Sequence, residues 1–236
     1  MQAVILAGGL GTRLRPLTLS VPKPMVRVHG RPFLEYELRL LLKNGVERFV
    51  FCVGYKADMI EEYFGDGSKF GSSIVYSHDG SMQVGPAGAL KHASSFLERE
   101  FMVTYGDSFL QMNYHNFIEE FHKFGKLGMM SVFENHNQLG KSDIEVRNGF
   151  VTMYDKTGVD PRMIWINFGA VLLKKEALDL IPCGVETNEE QFYRALIAKR
   201  ELAAYITDRR FYEIGTIRGL KEFEDFLAEN ANSLSN

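Results

Sequence analysis

Glycines and cations crowd the start of the chain in a pattern suited to binding phosphate groups. Residues 8–13 read Gly-Gly-Leu-Gly-Thr-Arg and follow the apolar segment 3–6. Glycines let a backbone approach an anion closely, so that successive N–H groups can point at phosphate oxygens. Lys23 stands between two prolines, which hold it on a stiff, extended segment. With Arg13 and Arg15 it places three cations near the loop, in a chain of net charge -3, and this combination favours a triphosphate site.

Two other phosphate-binding motifs and a plain turn compete for this loop. A P-loop needs Gly-Lys followed by Ser or Thr, whereas this loop carries Arg13. A dinucleotide-binding fingerprint needs a last glycine at the position that Leu14 occupies. A tight turn without a ligand is the third alternative on the local sequence alone. The cations that accompany the loop favour the triphosphate.

A carboxylate in the middle of the chain is suited to hold a divalent cation. Asp107 follows an apolar strand in the segment Tyr105-Gly106-Asp107, so we expect it at the carboxyl end of that strand, facing the triphosphate. Carboxylate oxygens are ligands that Mg²⁺ accepts together with substrate phosphates. The alternative is an aspartate that caps a helix or a turn. The position favours a magnesium ligand.

The elements that must position these residues follow from the apolar pattern. Short apolar runs alternate with amphipathic ones in the first half, which predicts a parallel, doubly wound sheet. Strands are expected at 3–6, 49–53, 73–76, 101–105, 129–134, 144–147, 150–154 and 164–173. Helices are expected at 33–42, 58–64, 87–97, 175–180, 189–199 and 217–228. We therefore predict an α/β fold with a doubly wound, mostly parallel but mixed sheet.

No linker is long enough to divide the chain, so we expect one domain over 1–236. Its nucleotide-binding half is expected at about 1–110, and the half that binds the second substrate, the acceptor, at about 111–229. A polar tail follows at 230–236.

Composition limits the class of protein. Hydrophobic residues make up 45% and charged residues 24%, as in ordinary globular proteins. The net charge of -3 gives no overall basic field for nucleic acid or an anionic membrane. Cys52 and Cys183 are expected to be free thiols, and the histidines show no zinc-ligand spacing. No secretory leader and no run of ~20 apolar residues is present, so we expect a cytoplasmic protein; a homo-oligomer is left open.

The segment 8–18 together with Pro22-Lys23-Pro24 resembles the signature of the sugar-1-phosphate nucleotidylyltransferase family, the NDP-sugar pyrophosphorylase type. Residues 31–36, Arg-Pro-Phe-Leu-Glu-Tyr, fit the helix that follows in that family, and the resemblance continues to Gly219-Leu220. It implies a Rossmann-like nucleotidyltransferase fold. It also implies an enzyme that transfers a nucleoside monophosphate from an NTP to a sugar 1-phosphate and releases pyrophosphate. Mg²⁺, or another divalent cation, would be the cofactor, and nucleotide-sugar and polysaccharide biosynthesis the setting.

The same resemblance assigns roles to individual residues. Arg13, Lys23 and Asp107 would be catalytic, and Asp107 and Glu213 would hold the metal, with glutamate replacing the aspartate usual at the second position. Lys156 would contact the acceptor phosphate. The residues expected to bind the nucleotide are Leu6, Ala7, Gly8, Gly9, Gly11, Thr12, Arg13, Gln83, Gly85, Pro86, Ala87, Gly88 and Gly106. The other residues expected at the acceptor are Asn167, Gly169 and Glu189.

Two other functions stay open at this level. Relatives with this signature use CTP to activate non-sugar metabolites such as phosphocholine or phosphonates, and the departures from the family pattern at Asp155, Thr157 and Phe168 fall in the acceptor half. A catalytically silent regulatory homologue is the second alternative, but it would be expected to lose one of the catalytic residues. Compact length suggests the heptose- and mannose-type guanylyltransferases by analogy; the base and the acceptor are left open.

Overall fold

A computed structural model describes residues 1–79, 85–182 and 184–230. The predictions for Gln83, Cys183 and residues 231–236 lie outside the described residues. The strands of the described part are β1 (Gln2–Leu6), β2 (Arg27–Val28), β3 (Arg31–Pro32), β4 (Arg48–Val53), β5 (Ser73–His78), β6 (Glu100–Tyr105), β7 (Ser108–Leu110), β8 (Gly128–Glu134), β9 (Ile144–Arg147), β10 (Phe150–Tyr154), β11 (Trp165–Lys174), β12 (Leu202–Thr207) and β13 (Phe211–Glu213). The α-helices are α1 (Phe33–Lys43), α2 (Ala57–Phe64), α3 (Gly85–His92), α4 (Tyr114–Phe124), α5 (Glu189–Ala198) and α6 (Ile217–Glu229).

One nine-stranded sheet runs through the molecule in the order β5-β4-β1-β6-β11-β8-β12-β10-β9. Strands β5, β4, β1 and β6 run parallel to one another. Strand β11 is antiparallel to both β6 and β8, whereas β12 is parallel to β8. The predicted α/β fold with a mixed sheet is therefore confirmed. The carboxyl ends of the parallel strands share one edge, which is where open α/β sheets bind ligands.

The central strand β1 shows why helices cover both faces of the sheet. Ala3, Val4 and Ile5 are fully buried, and consecutive side chains of a strand point to opposite faces. Val4 packs in a cluster with Leu90 of α3 and Phe192 of α5. Ala3 and Ile5 pack in a second cluster that includes residues of α1, α2 and α4. A strand buried on both sides reads as a continuous apolar run, as β1 does.

Two elements of the second half were missed in the sequence. Helix α4 buries Tyr114, Phe117 and Phe121, and the side chain of Asn113 caps its first turn. That spacing of three and four residues is a helical signal, but the polar residues between them obscured it. Strand β12 was also not predicted, although five of its six residues, Leu-Ala-Ala-Tyr-Ile, are apolar. The predicted helix at 175–180 is a 3-10 helix, and no helix of the described residues is long and apolar enough to cross a membrane.

A small ladder between β7 and β13 brings the end of the chain back to Asp107. In this antiparallel pair Glu213 lies opposite Ser108. Helix α6 follows and packs Phe223 against Phe33 of α1 and Phe109 of β7, with ring centroids 4.8 Å and 5.1 Å away. Aromatic edge-to-face and tilted contacts of this kind fix the position of the helix. The position of Glu213 therefore depends on this aromatic packing.

Glu37 of α1 is a carboxylic acid inside the core. Its exposed fraction is 2%, and neither carboxyl oxygen has a hydrogen-bond partner among the described residues. Burial raises the pKa of Glu37 well above its ordinary value, and the charge of Asp107 acts in the same direction. An isolated buried carboxylate is costly, so the group is expected to stay protonated in the folded protein.

Glu37→Gln should change how stability depends on pH. Because the folded pKa is raised above the ordinary value of 4.5, the stability linked to the proton is fully present below that value and is lost as pH rises through the folded pKa. We expect the free energy of unfolding of the wild type, measured by urea denaturation, to fall relative to that of Glu37→Gln as the pH rises above 4.5. The exposed Glu62→Gln should track the wild type; parallel curves for Glu37→Gln and the wild type would contradict the prediction.

Candidate active site

A pocket of about 650 Å³ opens at the carboxyl ends of β1, β4 and β6. This volume lies within the range of about 300–1,000 Å³ that small-molecule sites occupy. The sequence-predicted residues that line it are Leu6, Ala7, Gly8, Gly9, Gly11, Thr12, Arg13, Lys23, Gly85, Pro86, Gly106 and Asp107. Ala87 and Gly88, also predicted, are buried in α3 behind the wall of the pocket.

Gly11 sets the path of the glycine-rich loop. Its φ is +59°, a left-handed conformation that favours glycine. Its carbonyl accepts hydrogen bonds from the hydroxyl of Thr18 at 2.8 Å and from the N–H of Leu14 at 3.0 Å. A Cβ at this position would lie 3.0 Å from side-chain carbons of Lys23 and Thr18. The loop is therefore packed directly against the segment that carries Lys23.

Lys23 and Asp107 form an ion pair at the floor of the pocket. The ammonium group of Lys23 donates to Oδ2 of Asp107, and the two side chains are 13% and 26% exposed. The strand end leaves room for this contact because Gly106 has no side chain. A Cβ on Gly106 would lie 3.2 Å from the ring of Pro24 and 3.3 Å from Cβ of Ala7. The proline-bound lysine is thus seated on the end of β6.

Two further charged groups come close to this pair around Gly215. A Cβ on Gly215 would lie 3.2 Å from both Nη2 of Arg13 and Oε1 of Glu213, and 3.4 Å from Nζ of Lys23. Gly215 therefore lets two cations and one carboxylate converge beside Asp107. The backbone fixes the approach, because the N–H of Ile214 donates to the carbonyl of Asp107 at 2.9 Å.

Asp107 and Glu213 fit a divalent cation. Both offer hard oxygen donors, they lie next to each other across the β7–β13 ladder, and Asp107 already contacts a cationic group. Magnesium is commonly held by one or two carboxylates, with substrate phosphates and water as the other ligands. No cluster of three or more His, Cys, Asp or Glu residues arranged for a metal occurs within 1–79, 85–182 and 184–230.

The acceptor residues predicted from the sequence lie beside the pocket rather than in its wall, and a tyrosine links the two regions. Lys156 donates from its ammonium group to Oε1 of Glu189, the first residue of α5. The hydroxyl of Tyr105 donates to the other oxygen of Glu189, and Tyr105 lines the pocket. Tyr105 stands two residues before Asp107. The structure therefore brings Lys156 and Glu189 together and connects them to the strand end that carries Asp107.

Asn167 and Gly169 are placed differently from Lys156. Oδ1 of Asn167 accepts the N–H of Gly169 at 2.9 Å, within an irregular stretch of β11 where the pairing with β8 shifts register. Gly169 is buried, has φ +112°, and lies close to Leu110, whose side chain would be 3.2 Å from an added Cβ. The amide oxygen of Asn167 thus supports the backbone, and its NH₂ group, which has two N–H donors, also reaches the hydroxyl of Tyr154. The roles of both residues at the acceptor stay predictions.

Comparison with known proteins identifies the family. The sequence profile described as nucleotidyl transferase matches residues 2–230. The chain belongs to the nucleotidyl transferase family. This transferase is 30% identical, over 98% of its chain and 100% of the relative, to the D-glycero-alpha-D-manno-heptose 1-phosphate guanylyltransferase of Campylobacter jejuni. It is 31% identical to the glucose-1-phosphate cytidylyltransferase of Salmonella typhimurium, over 87% of each chain.

Solved structures agree with this assignment. The transferase is 26% identical to HddC from Yersinia pseudotuberculosis, with a TM-score of 0.80 over 96% of this chain and 99% of the other. The prediction of an enzyme of the sugar-1-phosphate nucleotidylyltransferase type, with its Rossmann-like fold, is confirmed.

Several pocket residues of the transferase were missed in the sequence. They include Asp79, Tyr105, Tyr55 and Glu186. Asp79 follows the carboxyl end of β5, and its N–H donates to the carbonyl of Val53 at 3.0 Å. The rule that singled out Asp107, a carboxylate directly after a parallel strand, applies equally to Asp79. Glu186 precedes α5 in the acceptor half, and no local signal marked it as part of the nucleotide pocket.

Alanine at Gly9 and Gly11 should separate ligand contact from backbone strain. Nothing lies within 4 Å of an added Cβ at Gly9, whereas Gly11 combines positive φ with contacts at 3.0 Å. We expect Gly11→Ala to lower Tm by several degrees, because strain of this kind costs about 1 kcal/mol or more. Gly9→Ala should keep its Tm and raise the KM for the nucleotide, since its methyl group would face the bound phosphates. An unchanged nucleotide KM in Gly9→Ala would show that the backbone there does not approach the ligand.

Proposed function

We propose that this transferase moves GMP from GTP to a sugar 1-phosphate and releases pyrophosphate. The convergence of Arg13, Lys23, Asp107 and Glu213 beside the glycine-rich loop carries the proposal for the chemistry. Cations and backbone N–H groups suit the anionic triphosphate, and the two carboxylates would suit a divalent cation. The names of the relatives support the acceptor, since both describe sugar 1-phosphates.

The reaction requires positioning and charge neutralisation rather than a protein nucleophile. A phosphate oxygen of the acceptor attacks the α-phosphorus in line, and the bond to the leaving pyrophosphate breaks. A phosphate monoester is already ionised near neutral pH, so no general base is needed. Arg13 and the N–H groups of residues 8–12 would hold the leaving phosphates. Lys23, fixed by its flanking prolines, would stabilise the charge that develops around the α-phosphate.

A divalent cation would be held by Asp107 and Glu213. When bound, it would neutralise phosphate charge and orient the reacting oxygens. Lys23 contacts the same carboxylate, so the ammonium group and the cation would share the negative charge of Asp107.

Asp79 supports guanine as the base. It lies at the end of the pocket formed by Gly8, because an added Cβ on Gly8 would collide with its carboxylate. Gly11 lies at the other end of the loop, against Lys23. An anionic side chain is suited to the base end and not to the phosphate end. Burial raises the pKa of Asp79, and a base that donates hydrogen bonds to the carboxylate would offset this effect. Guanine offers two adjacent N–H donors to a carboxylate, whereas uracil and thymine place carbonyl acceptors on both sides of one donor.

The remaining parts of the proposal concern organisation and setting. Residues 1–110 would bind the nucleotide and 111–229 the acceptor within one domain. The enzyme would work in the cytoplasm, in nucleotide-sugar biosynthesis for a surface polysaccharide.

A pyrophosphate-release screen tests the proposal directly. GTP, ATP, UTP, CTP and dTTP are each combined with heptose, mannose and glucose 1-phosphates, and with phosphocholine as a non-sugar control. We expect turnover with GTP and a sugar 1-phosphate, and its loss in EDTA with recovery on adding Mg²⁺. Turnover of phosphocholine with CTP, and none of any sugar 1-phosphate, would overturn the proposal.

Lys23→Ala should lower kcat more than it changes nucleotide binding. Removing one donor that stabilises transition-state charge typically costs about 10²–10³ in kcat. Single-turnover kinetics and equilibrium binding of GTP would measure the two effects separately, with the exposed Lys69→Ala as the matched control. A large rise in nucleotide Kd with an unchanged single-turnover rate would show that Lys23 serves ground-state binding alone.

Asp79→Asn should reduce the preference for GTP over ITP, which lacks the 2-amino group. A bidentate contact to a base is worth about 1–3 kcal/mol of discrimination, so the wild type should favour GTP by about 10-fold in kcat/KM. The asparagine side chain has one acceptor oxygen in place of two, so it cannot pair with both N–H groups of guanine. The ratio of kcat/KM for GTP to kcat/KM for ITP should therefore fall toward one. If Asp79→Asn weakens GTP and ITP equally, Asp79 contacts the ribose or supports the loop instead.

A further inference from the structure

The carboxyl group of Asp155, the residue before Lys156, is held by residues outside the predicted acceptor set. Oδ1 of Asp155 accepts the N–H of Thr157 at 2.8 Å, and its Oδ2 lies 3.4 Å from Nη2 of Arg194. Both contacts stabilise the charged form, and they lower the pKa of Asp155. Asp155 is therefore occupied by partners on its own side of the fold. Another residue must supply an acidic contact if the acceptor site needs one in addition to Glu189.

Asp143 lies where such a contact would be needed. It directly precedes β9, its N–H donates to the carbonyl of Trp165 at 3.0 Å, and its carbonyl accepts the N–H of Asp155 at 2.9 Å. The backbone is thus held on both sides, by the segment of β11 and by the residue after β10. Fixing the backbone in this way limits where the carboxyl group can go. The position is determined by the sheet and not by a flexible loop.

The carboxyl group of Asp143 lies near the predicted acceptor residues, and one of its oxygens is unpaired. The backbone N–H groups of Asp143 and Asn167 act on the carboxylate, but Oδ1 is buried and has no hydrogen-bond partner among the described residues. Burial raises the pKa of Asp143 to about 7; the positive charge of Lys156 opposes this shift, and the negative charge of Glu189 adds to it. A buried polar atom without a partner costs about 1–3 kcal/mol, so a polar group that satisfied it would be bound favourably.

We propose that Asp143 is a specificity-determining residue of the acceptor site, where its carboxylate accepts hydrogen bonds from ring hydroxyls of a sugar 1-phosphate. The inference rests on the proposed function and names the contact that selects a hydroxylated acceptor. Asn167 supplies the complementary group, because its amide oxygen is used by Gly169 and its NH₂ group offers only donors. A hydroxyl group can donate a hydrogen bond to the carboxylate of Asp143 and accept one from the NH₂ group of Asn167. Lys156 meets the acceptor phosphate, and Asp143 the hydroxyls.

Asp143→Ala and Asp143→Asn test this role with the acceptor found in the screen. Loss of a hydrogen bond to a charged group corresponds to about a 10- to 100-fold fall in kcat/KM for the acceptor. The KM for the nucleotide should stay within about 2-fold of the wild type. A deoxy analogue that lacks the contacted hydroxyl should lose activity with the wild type but lose little further in Asp143→Ala. Asp160→Asn is the matched control, since Asp160 is bound to Arg162 on the surface.

The pH profile gives a second readout that a merely structural role would not move. The ionised carboxylate accepts hydrogen bonds from hydroxyls, so kcat/KM for the acceptor should rise with pH through about 7 in the wild type. This rise in kcat/KM should be missing in Asp143→Asn. Any pH dependence caused by ionisation of the acceptor phosphate should be the same in both proteins. Because asparagine matches aspartate in shape, Asp143→Asn stays informative if Asp143→Ala fails to fold.

The outcomes separate this inference from the proposed function. If the wild type turns over no sugar 1-phosphate, the proposed function fails first. If it does so, and Asp143→Asn retains the acceptor KM and pH profile of the wild type, only the role of Asp143 is overturned. A stronger effect of Asp143→Ala on an acceptor with an ammonium group than on its hydroxyl counterpart would also overturn it, because the carboxylate would then recognise a cation.

Discussion

The ion pair between Lys23 and Asp107 is the contact on which the rest of the active site depends. It connects the two segments that carry most of the charge: the proline-bound lysine after the glycine loop and the carboxylate at the end of β6. Gly11, Gly106 and Gly215 each lie beside this pair, and each lacks a side chain where one would meet it or its neighbours. The glycines therefore have a second use besides exposing N–H groups. They allow several charged side chains to come together in a small volume.

Tyrosines connect the pocket to the residues predicted to bind the acceptor. Tyr105 lines the nucleotide pocket and donates to Glu189, which also binds Lys156. The ring of Tyr154 lies edge-on to that of Tyr193, with centroids 5.7 Å apart. These rings are buried or partly buried, so their hydroxyl groups are directed by packing as well as by hydrogen bonds. The acceptor lysine is thereby held in a defined relation to the strand end at Asp107.

The sequence predicted the parallel half of the fold well because its signals are local. A fully apolar strand, a glycine turn and a capped amphipathic helix can each be recognised within a few residues. Lys23 could be placed beside the glycine-rich loop for the same reason, since its two prolines are adjacent to it. Helix α4 was missed because polar residues separate its apolar ones, whereas strand β12 was missed because it is a short apolar segment without turn signals or alternation. Their identity is decided by packing against β8 and its neighbours, which no short window contains.

Residues that contribute through tertiary contacts were also beyond local patterns. Asp143 is an isolated acid with no motif around it, and only the folded chain shows its surroundings; Asp79 follows a parallel strand as Asp107 does, but nothing else in its local sequence marks it. Glu213 was found by resemblance alone, because its approach to Asp107 requires β13 to pair with a strand about a hundred residues earlier. Asp155 illustrates the converse case. It directly precedes Lys156 in the sequence, but its carboxylate is bound by Thr157 and Arg194 and not by a predicted acceptor residue.

The contact between Gly85 and Thr187 has a consequence for how the two substrates affect each other. A Cβ on Gly85 would lie 2.6 Å from the carbonyl of Thr187, and the N–H of Gly88 donates to that carbonyl at 3.3 Å. The start of α3 therefore rests on the residue that precedes the cap of α5, the helix whose first residue is Glu189. With the proposed substrate positions, one wall would serve both ligands. A nucleotide that ordered this wall would also prepare it for the acceptor, and thermodynamic reciprocity would then require the acceptor to strengthen nucleotide binding by the same factor.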